Sequence, residues 1–381
     1  MNSPKKSILL VTRNLPPLVG GMENLLLHCA NTLCRDYSVT VVGPKGCAGY
    51  LHDSIEVHEV PSRLIGFVLL APCYALVTLV RRKFDIIFGG SGLVGSACWL
   101  LGKVFGAVTI CYVHGLDIVV NSRIYQSLFV PSLRRLDLVI VNSSNTQRLC
   151  IEAGIDRNNT TIIHPGCDVP AVVDRPAARG FLREKHGIVG EFYLLFVGRI
   201  APRKGLLAFM RQGFAQLLRQ YPDTVLVIAG DSPDDSLAHR SDELVNVLRT
   251  IEENRWTDRV FFLGKVDHDT LSRCYAGADC LLFPLVPVAG DVEGFGMVAI
   301  EAAAHGTQTV AFSEGGVSDA VNHGVSGFLV PSGDYGAMVA TLGVVATDGD
   351  TITACRNHAR QFSWDVFDTK LLRAFDAAIS E

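Results

Sequence analysis

The sequence lacks several features that mark particular classes of protein. Its eleven cysteines are scattered, mostly within apolar runs, and no two of them form a C-x-x-C pair. An odd number of cysteines without metal-ligand spacing is typical of reduced core cysteines in a cytosolic protein. The net charge of −4 gives no overall attraction for nucleic acid, so we expect no nucleic-acid partner.

The first residues do not have the pattern of a secretion signal. The first residues, MNSPKKSILLVTRNLPP, place two lysines before an apolar run. That run is too short, and is broken too soon, for a signal peptide. We interpret it as the first strand of a sheet.

No apolar run has the length of an ordinary membrane span. Leu64–Val80 carries no charge over seventeen residues and is followed by Arg81-Arg82-Lys83. It is shorter than the ~20 residues that a spanning helix needs, and Pro72 interrupts it. Two interpretations stay open: a buried crossover helix, or an interfacial helix whose basic flank is attracted to anionic lipid. A spanning helix is disfavoured because Asp85–Gly89 resumes as a strand.

What the sequence does contain is an α/β pattern that runs twice along the chain. With 381 residues, two domains can each bury a core. A proline-bounded linker at Val169–Arg175 separates a first series of strands and helices from a second, which begins with the strand Phe192–Gly198. We predict an N-terminal domain over residues 1–172 and a C-terminal domain over residues 173–362.

The densest motif of the chain lies in the segment Pro284–Val321. It contains Glu293-Gly294-Phe295-Gly296-Met297, and Glu301 follows eight residues after Glu293. Glycines without a Cβ let a ligand approach the backbone where a helix begins, and the free N–H groups there suit a phosphate. Glu301, inside that helix, would accept hydrogen bonds from ribose hydroxyls. The segment therefore indicates a nucleotide-sugar site, although an ordinary βα turn with a capping glutamate stays open.

Two basic residues follow the strand Phe192–Gly198. Arg199 ends that strand, and Lys204 lies in the Ala-Pro-Arg-Lys-Gly turn that opens the next helix. Fixed positive charges at a helix N-terminus neutralise a diphosphate and the charge that grows on it as a leaving group. The alternative is a pair of solvated basic side chains on a loop.

The first half of the chain offers two weaker signals. Gly20-Gly21 lies between a strand and a helix, which is a phosphate-cradling arrangement in principle. His114-Gly115-Leu116-Asp117 follows the strand Val108–Val113, at the carboxyl edge of the predicted parallel sheet, where ligands bind in such folds. A plain turn and a structural histidine are the respective alternatives.

Two further motifs are discounted. Gly90-Ser91-Gly92-Leu93-Val94-Gly95 fits the dinucleotide fingerprint, but the next strand ends in His114-Gly115 and lacks the acidic residue that completes the unit. Asp267-His268-Asp269 spells D-x-D, a possible metal motif. Because Asp269 immediately precedes a predicted helix at Thr270–Ala276, we interpret it as a helix cap.

Taken together, these motifs resemble retaining glycosyltransferases of family 4, also called glycosyl transferases group 1. The resemblance is carried by Glu293-x7-Glu301 in its Gly-Phe-Gly setting, by Gly315-Gly316, by Val-Gly-Arg199 with Arg203-Lys204-Gly205, and by Gly20-Gly21-Met22-Glu23. It implies the GT-B fold, an α/β architecture in which two Rossmann-like domains face each other across a cleft. It also implies that the last helix, within residues 363–381, crosses back to the first domain.

The resemblance assigns roles to individual residues. It implies that His114 and Glu293 act in catalysis and that Asp117 positions the acceptor. The donor-binding residues that it implies are Gly20, Gly21, Arg199, Lys204, Lys265, Val266, Gly294, Phe295, Gly296, Met297 and Glu301. No metal and no cofactor are expected, because the nucleotide sugar is a substrate. The chain has Ser318-Asp319 where the family usually has Pro-Glu, so the contact made by that longer side chain is in doubt.

The implied reaction is retaining transfer of a hexose from a nucleoside-diphosphate sugar to an acceptor hydroxyl. The Pro-Arg-Lys-Gly loop resembles members that use GDP-mannose-type donors, which favours GDP over UDP. The apolar segment and its basic flank, Leu64–Lys83, suggest a lipid-linked glycan acceptor in bacterial surface-polysaccharide, lipopolysaccharide or O-antigen synthesis. The enzyme would then be cytoplasmic and peripheral on the inner membrane. The alternatives are a non-hydrolysing nucleotide-sugar epimerase of the same fold, a solute-binding protein and an oxidoreductase.

Overall fold

A computed structural model describes residues 5–231, 243–345 and 348–380. The chain divides into two compact units, unit 1 with Met1–Gly166 and Trp364–Glu381, and unit 2 with Cys167–Ser363. Each unit is a parallel sheet covered by helices, as the alternating pattern predicts. The chain therefore leaves unit 1 at Gly166, six residues before the predicted boundary between residues 172 and 173 and ahead of the predicted linker at Val169–Arg175.

Unit 1 is built on a seven-stranded sheet in the order β3-β2-β1-β4-β5-β6-β7, with every pair parallel. The strands are β1 (Ser7–Val11), β2 (Ser38–Pro44), β3 (Glu56–Val60), β4 (Ile86–Gly89), β5 (Val108–Val113), β6 (Leu138–Val141) and β7 (Thr160–Ile162). Two of them, β1 and β6, are nearly continuous runs of Val, Ile and Leu, as expected where both faces of a parallel sheet are buried. The strand order reverses between β1 and β4, which makes that position the switch point of the sheet.

Among the described residues of unit 1, six α-helices precede the linker. They are α1 (Gly21–Asp36), α2 (Leu64–Arg81), α3 (Gly92–Phe105), α4 (Leu116–Val119), α5 (Val130–Leu133) and α6 (Ser144–Glu152), with a π-helical segment at Tyr125–Phe129 before α5. The two faces of the sheet bury different sets of residues. Ile8 and Leu10 share a core with α1, whereas Leu9 and Val11 share another with α2 and α3.

Helix α2 has two apolar faces in different surroundings. Phe67, Ala71 and Ala75, four residues apart, are fully buried against the sheet. The opposite face is exposed, with Ile65 and Val80 retaining 76% and 70% of their accessible surface. Within the described residues, α2 is the one helix long and apolar enough to cross a membrane by length and composition. It nevertheless joins β3 to β4 as a crossover of the sheet.

Unit 2 is built on a six-stranded parallel sheet in the order β10-β9-β8-β11-β12-β13. The strands are β8 (Phe192–Val197), β9 (Thr224–Ala229), β10 (Val260–Gly264), β11 (Cys280–Phe283), β12 (Gln308–Phe312) and β13 (Gly327–Val330). Its switch point lies between β8 and β11, so the loops that leave these two strands border the crevice in which such sheets bind ligands.

The helices of unit 2 lie between and after these strands. They are α7 (Arg175–His186), α8 (Leu206–Phe209), α9 (Ala215–Gln220), α10 (Glu243–Glu253), α11 (His268–Gly277), α12 (Met297–Ala304), α13 (Val317–Ala320), α14 (Tyr335–Leu342) and α15 (Gly349–Arg360), with a π-helical segment at Met210–Phe214 joining α8 to α9. One predicted cap was wrong. Asp267, not Asp269, caps α11 by accepting a 2.7 Å hydrogen bond from the Thr270 amide, while Asp269 pairs with Arg273 one turn on.

The last helix, α16 (Trp364–Ala378), returns to unit 1, as predicted. Phe367, Leu371 and Phe375 are buried in the core on the α1 side of the first sheet. Asp368 adds a polar connection, because its carboxylate binds His28 at 2.7 Å and also accepts from Thr32. These contacts explain why the final segment belongs to the first unit although it follows the second in sequence.

Candidate active site

The switch point of unit 2 brings two loops into contact. Gly205, in the loop after β8, has a φ of 69°, and a Cβ there would lie 1.8 Å from the carbonyl oxygen of Pro284, in the loop after β11. Only glycine fits this position. The Val286 amide donates to the Arg203 carbonyl at 2.9 Å in the same place. The turn carrying Arg203 and Lys204 is therefore fixed against the exit of β11.

A compact charge cluster results from this contact. Lys204 donates from Nζ to Glu293 Oε2 at 2.6 Å, and Arg203 donates to the same oxygen. Arg203 Nε also binds Asp291 Oδ1 at 3.0 Å. Lys204 Nζ lies 4.9 Å from the centre of the Phe283 ring, a cation–π contact at the end of β11. Two basic and two acidic side chains thus neutralise one another in a largely buried position.

Burial and pairing shift the ionisation of this cluster in opposite ways. Burial alone would raise the pKa of Glu293, but the charges and hydrogen bonds of Lys204 and Arg203 lower that pKa to about 2. Burial lowers the pKa of Lys204, Glu293 opposes that shift, and the positive charge of Arg203 adds to it. Glu293 is therefore a carboxylate at neutral pH, held in place by two cations.

Sequence reasoning missed Arg203 as a site residue. It chose Arg199 and Lys204, but the structure leaves Arg199 exposed and buries Arg203 against Glu293 and Asp291. Arg199 is still close enough to influence the ionisation of Lys204. The available signal was the Pro-Arg-Lys-Gly turn itself. That Arg203 points inward and Arg199 does not depends on how Gly205 packs, and the sequence does not show that packing.

Glu293 is also fixed through its backbone. The Gly316 amide donates to the Glu293 carbonyl at 2.9 Å, and a Cβ at Gly315 would lie 2.5 Å from that oxygen. Helix α12 then begins at Met297 after Gly296, whose φ is 94°, and no side chain caps its first turn. Phe295, which lies between Gly294 and Gly296 in the chain, is buried. The Gly-Phe-Gly-Met segment thus presents an uncapped helix start beside the charge cluster, which is the arrangement that suits a phosphate.

Glu301 has a different environment from Glu293. It lies in the second turn of α12, where its Oε2 accepts a 2.7 Å hydrogen bond from the hydroxyl of Tyr275 on α11. Burial raises the pKa of Glu301, and the hydrogen bond from Tyr275 partly offsets that shift. Among the described residues, the hydrogen-bond partner of the Glu301 carboxylate is thus a neutral hydroxyl and not a cation. Tyr275 was not predicted, because its contact joins two helices through residues that are 26 positions apart in sequence.

Glycines bring backbone segments together at the carboxyl ends of β8, β9 and β10 in unit 2. A Cβ at Gly230, after β9, would lie 1.9 Å from the carbonyl of Gly198, after β8, and the Gly230 amide donates to Gly264, at the end of β10. Lys265 follows as an exposed residue and Val266 as a half-buried one. These glycines place backbone groups next to Lys265 and Val266, two of the predicted donor-binding residues.

The corresponding edge of unit 1 is organised by His114. Its Nε2 lies 2.9 Å from the carbonyl oxygen of Gly90, its backbone amide donates to Asp117 Oδ2 at 2.8 Å, and Asn142 donates to its carbonyl. Because Nε2 faces a carbonyl, it carries the proton, and Nδ1 is left as an acceptor. That Nδ1 is buried and has no partner. His114 therefore presents one free acceptor at the end of β5.

The glycine-rich segments of unit 1 allow close packing of loops. A Cβ at Gly90 would lie 2.3 Å from Thr12 Oγ1, and one at Gly92 would lie 2.8 Å from the Cβ of Asp117. The fingerprint-like motif thus has a structural explanation. Gly20 directly precedes α1, which begins at Gly21, and the buried carboxylate of Glu23 accepts a 3.0 Å hydrogen bond from Asn14.

Comparison with known proteins identifies the family. Residues 178–362 match the family described as Glycosyl transferases group 1, and residues 19–170 match Glycosyltransferase Family 4. The D-inositol 3-phosphate glycosyltransferase of Mycolicibacterium vanbaalenii is 31% identical, over 86% of this chain and 74% of its own length. The chain belongs to the family 4 glycosyltransferases. The corresponding enzyme of Mycolicibacterium gilvum is 32% identical over the same shares.

Solved structures confirm the GT-B fold of this glycosyltransferase. Anabaena HepE in complex with UDP aligns with a TM-score of 0.79 at 21% identity, covering 97% of this chain and all of that one. Sucrose-phosphate synthase from Thermosynechococcus elongatus aligns with a TM-score of 0.80, also at 21% identity, over 99% of this chain and 100% of its own. Membership of this family makes the protein a transferase and sets the epimerase alternative aside.

Proposed function

We propose that this glycosyltransferase moves a hexose from a nucleoside-diphosphate sugar to an acceptor hydroxyl, with retention at the anomeric carbon and without a metal. The observation that carries the proposal is the buried pair of Lys204 and Glu293 at the switch point of unit 2. In a fold that binds ligands at this edge, a buried cation next to an uncapped helix start favours a diphosphate.

The diphosphate is the proposed partner of Arg199 and Lys204, together with the backbone of Gly294–Met297. Arg203 remains bound to Glu293 and Asp291, so that the carboxylate stays in place when Lys204 turns to a phosphate. Fixed cations stabilise the negative charge that grows on the leaving diphosphate. This arrangement supplies by side chains the charge that a divalent metal supplies elsewhere.

The remaining donor contacts follow the roles that the resemblance implies. Glu301 accepts from the ribose hydroxyls, and Lys265 and Val266 border the base. Gly20 and Gly21 approach the diphosphate, and His114 accepts from a sugar hydroxyl through its unpartnered Nδ1. The Asp117 carboxylate keeps the His114 loop in position by accepting a hydrogen bond from the His114 backbone amide.

The proposed chemical step needs no side chain that acts as a general base. The bond between the anomeric carbon and the diphosphate oxygen breaks, and the acceptor oxygen bonds to the same face of that carbon. The acceptor proton passes to the leaving diphosphate, so charge and atoms balance. Glu293, a carboxylate at neutral pH because of its lowered pKa, stabilises the positive charge that develops on the sugar.

Donor and acceptor identity are finer proposals. HepE was solved with UDP and with UDP-glucose, which supports UDP as the first nucleotide to test, whereas the Pro-Arg-Lys-Gly loop favours GDP by resemblance. For the acceptor, the relatives named for D-inositol 3-phosphate support a small phosphorylated polyol. The exposed face of α2 instead supports a lipid-linked glycan, as in lipopolysaccharide or O-antigen synthesis. We propose the lipid-linked acceptor and keep the polyol phosphate as its competitor.

Calorimetry with EDTA present tests the proposal directly. UDP and GDP are titrated into the wild type and into Glu301→Ala. We expect micromolar binding of one nucleotide without metal, and weaker binding to the variant because its ribose contact is lost. Repeating the titration with the 2′,3′-dideoxy nucleotide should abolish the difference between the two proteins. Absence of binding to either nucleotide, or binding that requires a metal, would contradict the proposal.

A further inference from the structure

The outer surface of the α2–α3 layer in unit 1 is unusually apolar. On α2, Ile65, Leu69, Val77 and Val80 are exposed at helical spacing, and they lie on the side opposite the buried Phe67, Ala71 and Ala75. A helix that is apolar on both sides is normally buried or in contact with lipid. The buried half of α2 packs on the sheet, so the exposed half requires another explanation.

The apolar surface continues beyond α2. Helix α3 packs beside it and exposes Leu100 and Val104, the latter with 67% of its surface accessible. The segment next to α3 exposes Ile124 and Leu128. Together these side chains define the α2–α3 face. Exposed apolar residues this concentrated on one side of a protein mark an interaction surface, whereas scattered ones do not.

The charges in this part of the chain are mostly positive. Between residues 62 and 136 the chain has eight Lys or Arg and only two acidic residues, although its net charge is −4. Both acidic residues are occupied within the unit: Asp85 accepts from the amide and hydroxyl of Ser7, and Asp117 from the His114 amide. Arg81 and Lys83 are exposed at the end of α2. The face is therefore an apolar surface with a mostly basic border, in which Arg82 is the residue paired with an acidic partner, Glu56.

An aromatic residue lies within this border. Trp99 on α3 is half-buried, with Lys103 5.8 Å and Arg135 4.7 Å from its ring. Tryptophan with neighbouring basic side chains is typical of the zone between lipid headgroups and acyl chains. A protein partner would have to match both a broad apolar surface and a surplus of positive charge. A bilayer with anionic headgroups matches both at once.

We propose that the α2–α3 face is a docking surface for a membrane that contains anionic lipid. The exposed side chains enter the headgroup boundary, and Arg81, Lys83 and Lys103 contact the anionic headgroups. Helix α2 lies in the plane of the interface and does not cross the bilayer, because its buried face remains packed on the sheet. This docking surface is separate from the nucleotide site, so each can fail without the other.

Vesicle flotation tests the proposal on the full chain without detergent. The probes are vesicles of phosphatidylcholine alone and vesicles that also contain phosphatidylglycerol. We expect the wild type to float with the second kind only, and to be released as salt is raised, since the attraction to anionic lipid is screened. An absence of flotation with either kind of vesicle would overturn the proposal.

Two variants separate the apolar and the charged contributions. Ile65→Gln with Val80→Gln removes apolar side chains that touch little of the core and should weaken vesicle binding about tenfold or more. Arg81→Gln with Lys83→Gln keeps Arg82, which pairs with Glu56, and should weaken binding roughly 10- to 30-fold. Unchanged binding in both variants would overturn the proposal.

Matched controls exclude general effects of the substitutions. Val245→Gln with Leu248→Gln alters two exposed apolar residues of α10 in unit 2, and Arg183→Gln with Arg219→Gln removes two exposed charges there. Both controls should float like the wild type. UDP titration of every variant should match the wild type, which separates this test from that of the nucleotide site. If light scattering showed a dimer that Ile65→Gln with Val80→Gln dissociates, the face would be a contact between two copies and the proposal would be wrong.

Discussion

The carboxyl edges of the two sheets have the same topology and different chemistry. In unit 2 the switch point carries four charged side chains in contact, with Lys204 and Arg203 bound to one oxygen of Glu293. In unit 1 the residues described at that edge bind mainly neutral partners, as His114 does with Gly90 and Glu23 with Asn14. The same fold therefore provides one edge suited to a doubly charged diphosphate and another suited to neutral hydroxyl groups.

A difference in local surroundings also explains why two glutamates of unit 2 ionise differently. Glu293 and Glu301 are eight residues apart, but the first faces two cations and the second faces a tyrosine hydroxyl. Cations lower the pKa of Glu293 to about 2 despite its burial, whereas burial raises the pKa of Glu301. The environment, rather than the residue type, decides which carboxylate stabilises charge and which accepts hydrogen bonds.

The largest expected effect follows from removing the buried cation of unit 2. Lys204→Met leaves Glu293 with Arg203 alone and takes away the proposed diphosphate ligand. We expect UDP affinity to fall by roughly 100-fold or more, because the loss of a buried charged partner is costly. Calorimetry measures the UDP affinity of both proteins. The control is Lys370→Met, which replaces an exposed lysine of α16. UDP affinity equal to the wild type would remove Lys204 from the site.

Neutralising Glu293 should affect stability and binding in opposite directions. Since its folded-state pKa is depressed to about 2, its contribution is present above the unfolded pKa near 4.5 and is lost as pH falls towards 2. We measure the free energy of unfolding in urea between these two pH values. It should fall by about 3 kcal/mol more in the wild type than in Glu293→Gln.

At neutral pH, Glu293→Gln should also bind UDP more tightly than the wild type, because one competing anion is gone. Sugar transfer should nevertheless be lost, because the stabilising carboxylate is absent. A pH slope identical to that of the wild type, or weaker UDP binding, would contradict this account of the cluster.

A smaller effect is expected from the turn that positions the cluster. Gly205→Ala would force a Cβ against the Pro284 carbonyl at a positive φ, and should cost about 2 kcal/mol of unfolding free energy while weakening UDP binding. Gly180→Ala, in helix α7 with open space around it, is the matched control and should stabilise by up to about 1 kcal/mol. Denaturant unfolding compares the two. Similar unfolding free energies in both variants would show that the turn is not fixed by this contact.

The smallest effect is expected in unit 1. His114→Gln retains a donor for the Gly90 carbonyl but has no equivalent of the free Nδ1. We expect unchanged affinity for UDP and about tenfold weaker binding of the nucleotide sugar, which corresponds to one buried hydrogen bond. Titrating both ligands in parallel separates the two effects. Loss of UDP binding as well would show that the edges of the two units do not differ as proposed.

The regular elements were predictable because burial dictates their residue types. The strands at Val108–Val113, Thr224–Ala229 and Val260–Gly264 have the same limits in the sequence analysis and in the structure. Each is a largely apolar run, as a parallel sheet covered by helices requires. The return of α16 to unit 1 was also anticipated, through the family resemblance.

What the sequence left open depends on contacts between distant segments. The inward position of Arg203 is set by Gly205 against Pro284, about eighty residues away in the printed sequence. The partner of Glu301 is on another helix. For Asp267 and Asp269, the start of α11 decided which one became the cap. The exposed half of α2 was equally undecided, because an apolar helix looks the same in sequence whether one side or both sides are buried.

A crystal structure of the complex with UDP is the most direct test of the central claim. We expect phosphate oxygens within hydrogen-bonding distance of Lys204 Nζ and the backbone of Gly294–Met297. Ribose hydroxyls should bind Glu301, and Arg203 should still be bound to Glu293. A diphosphate bound elsewhere, with the Lys204–Glu293 pair unchanged, would contradict it.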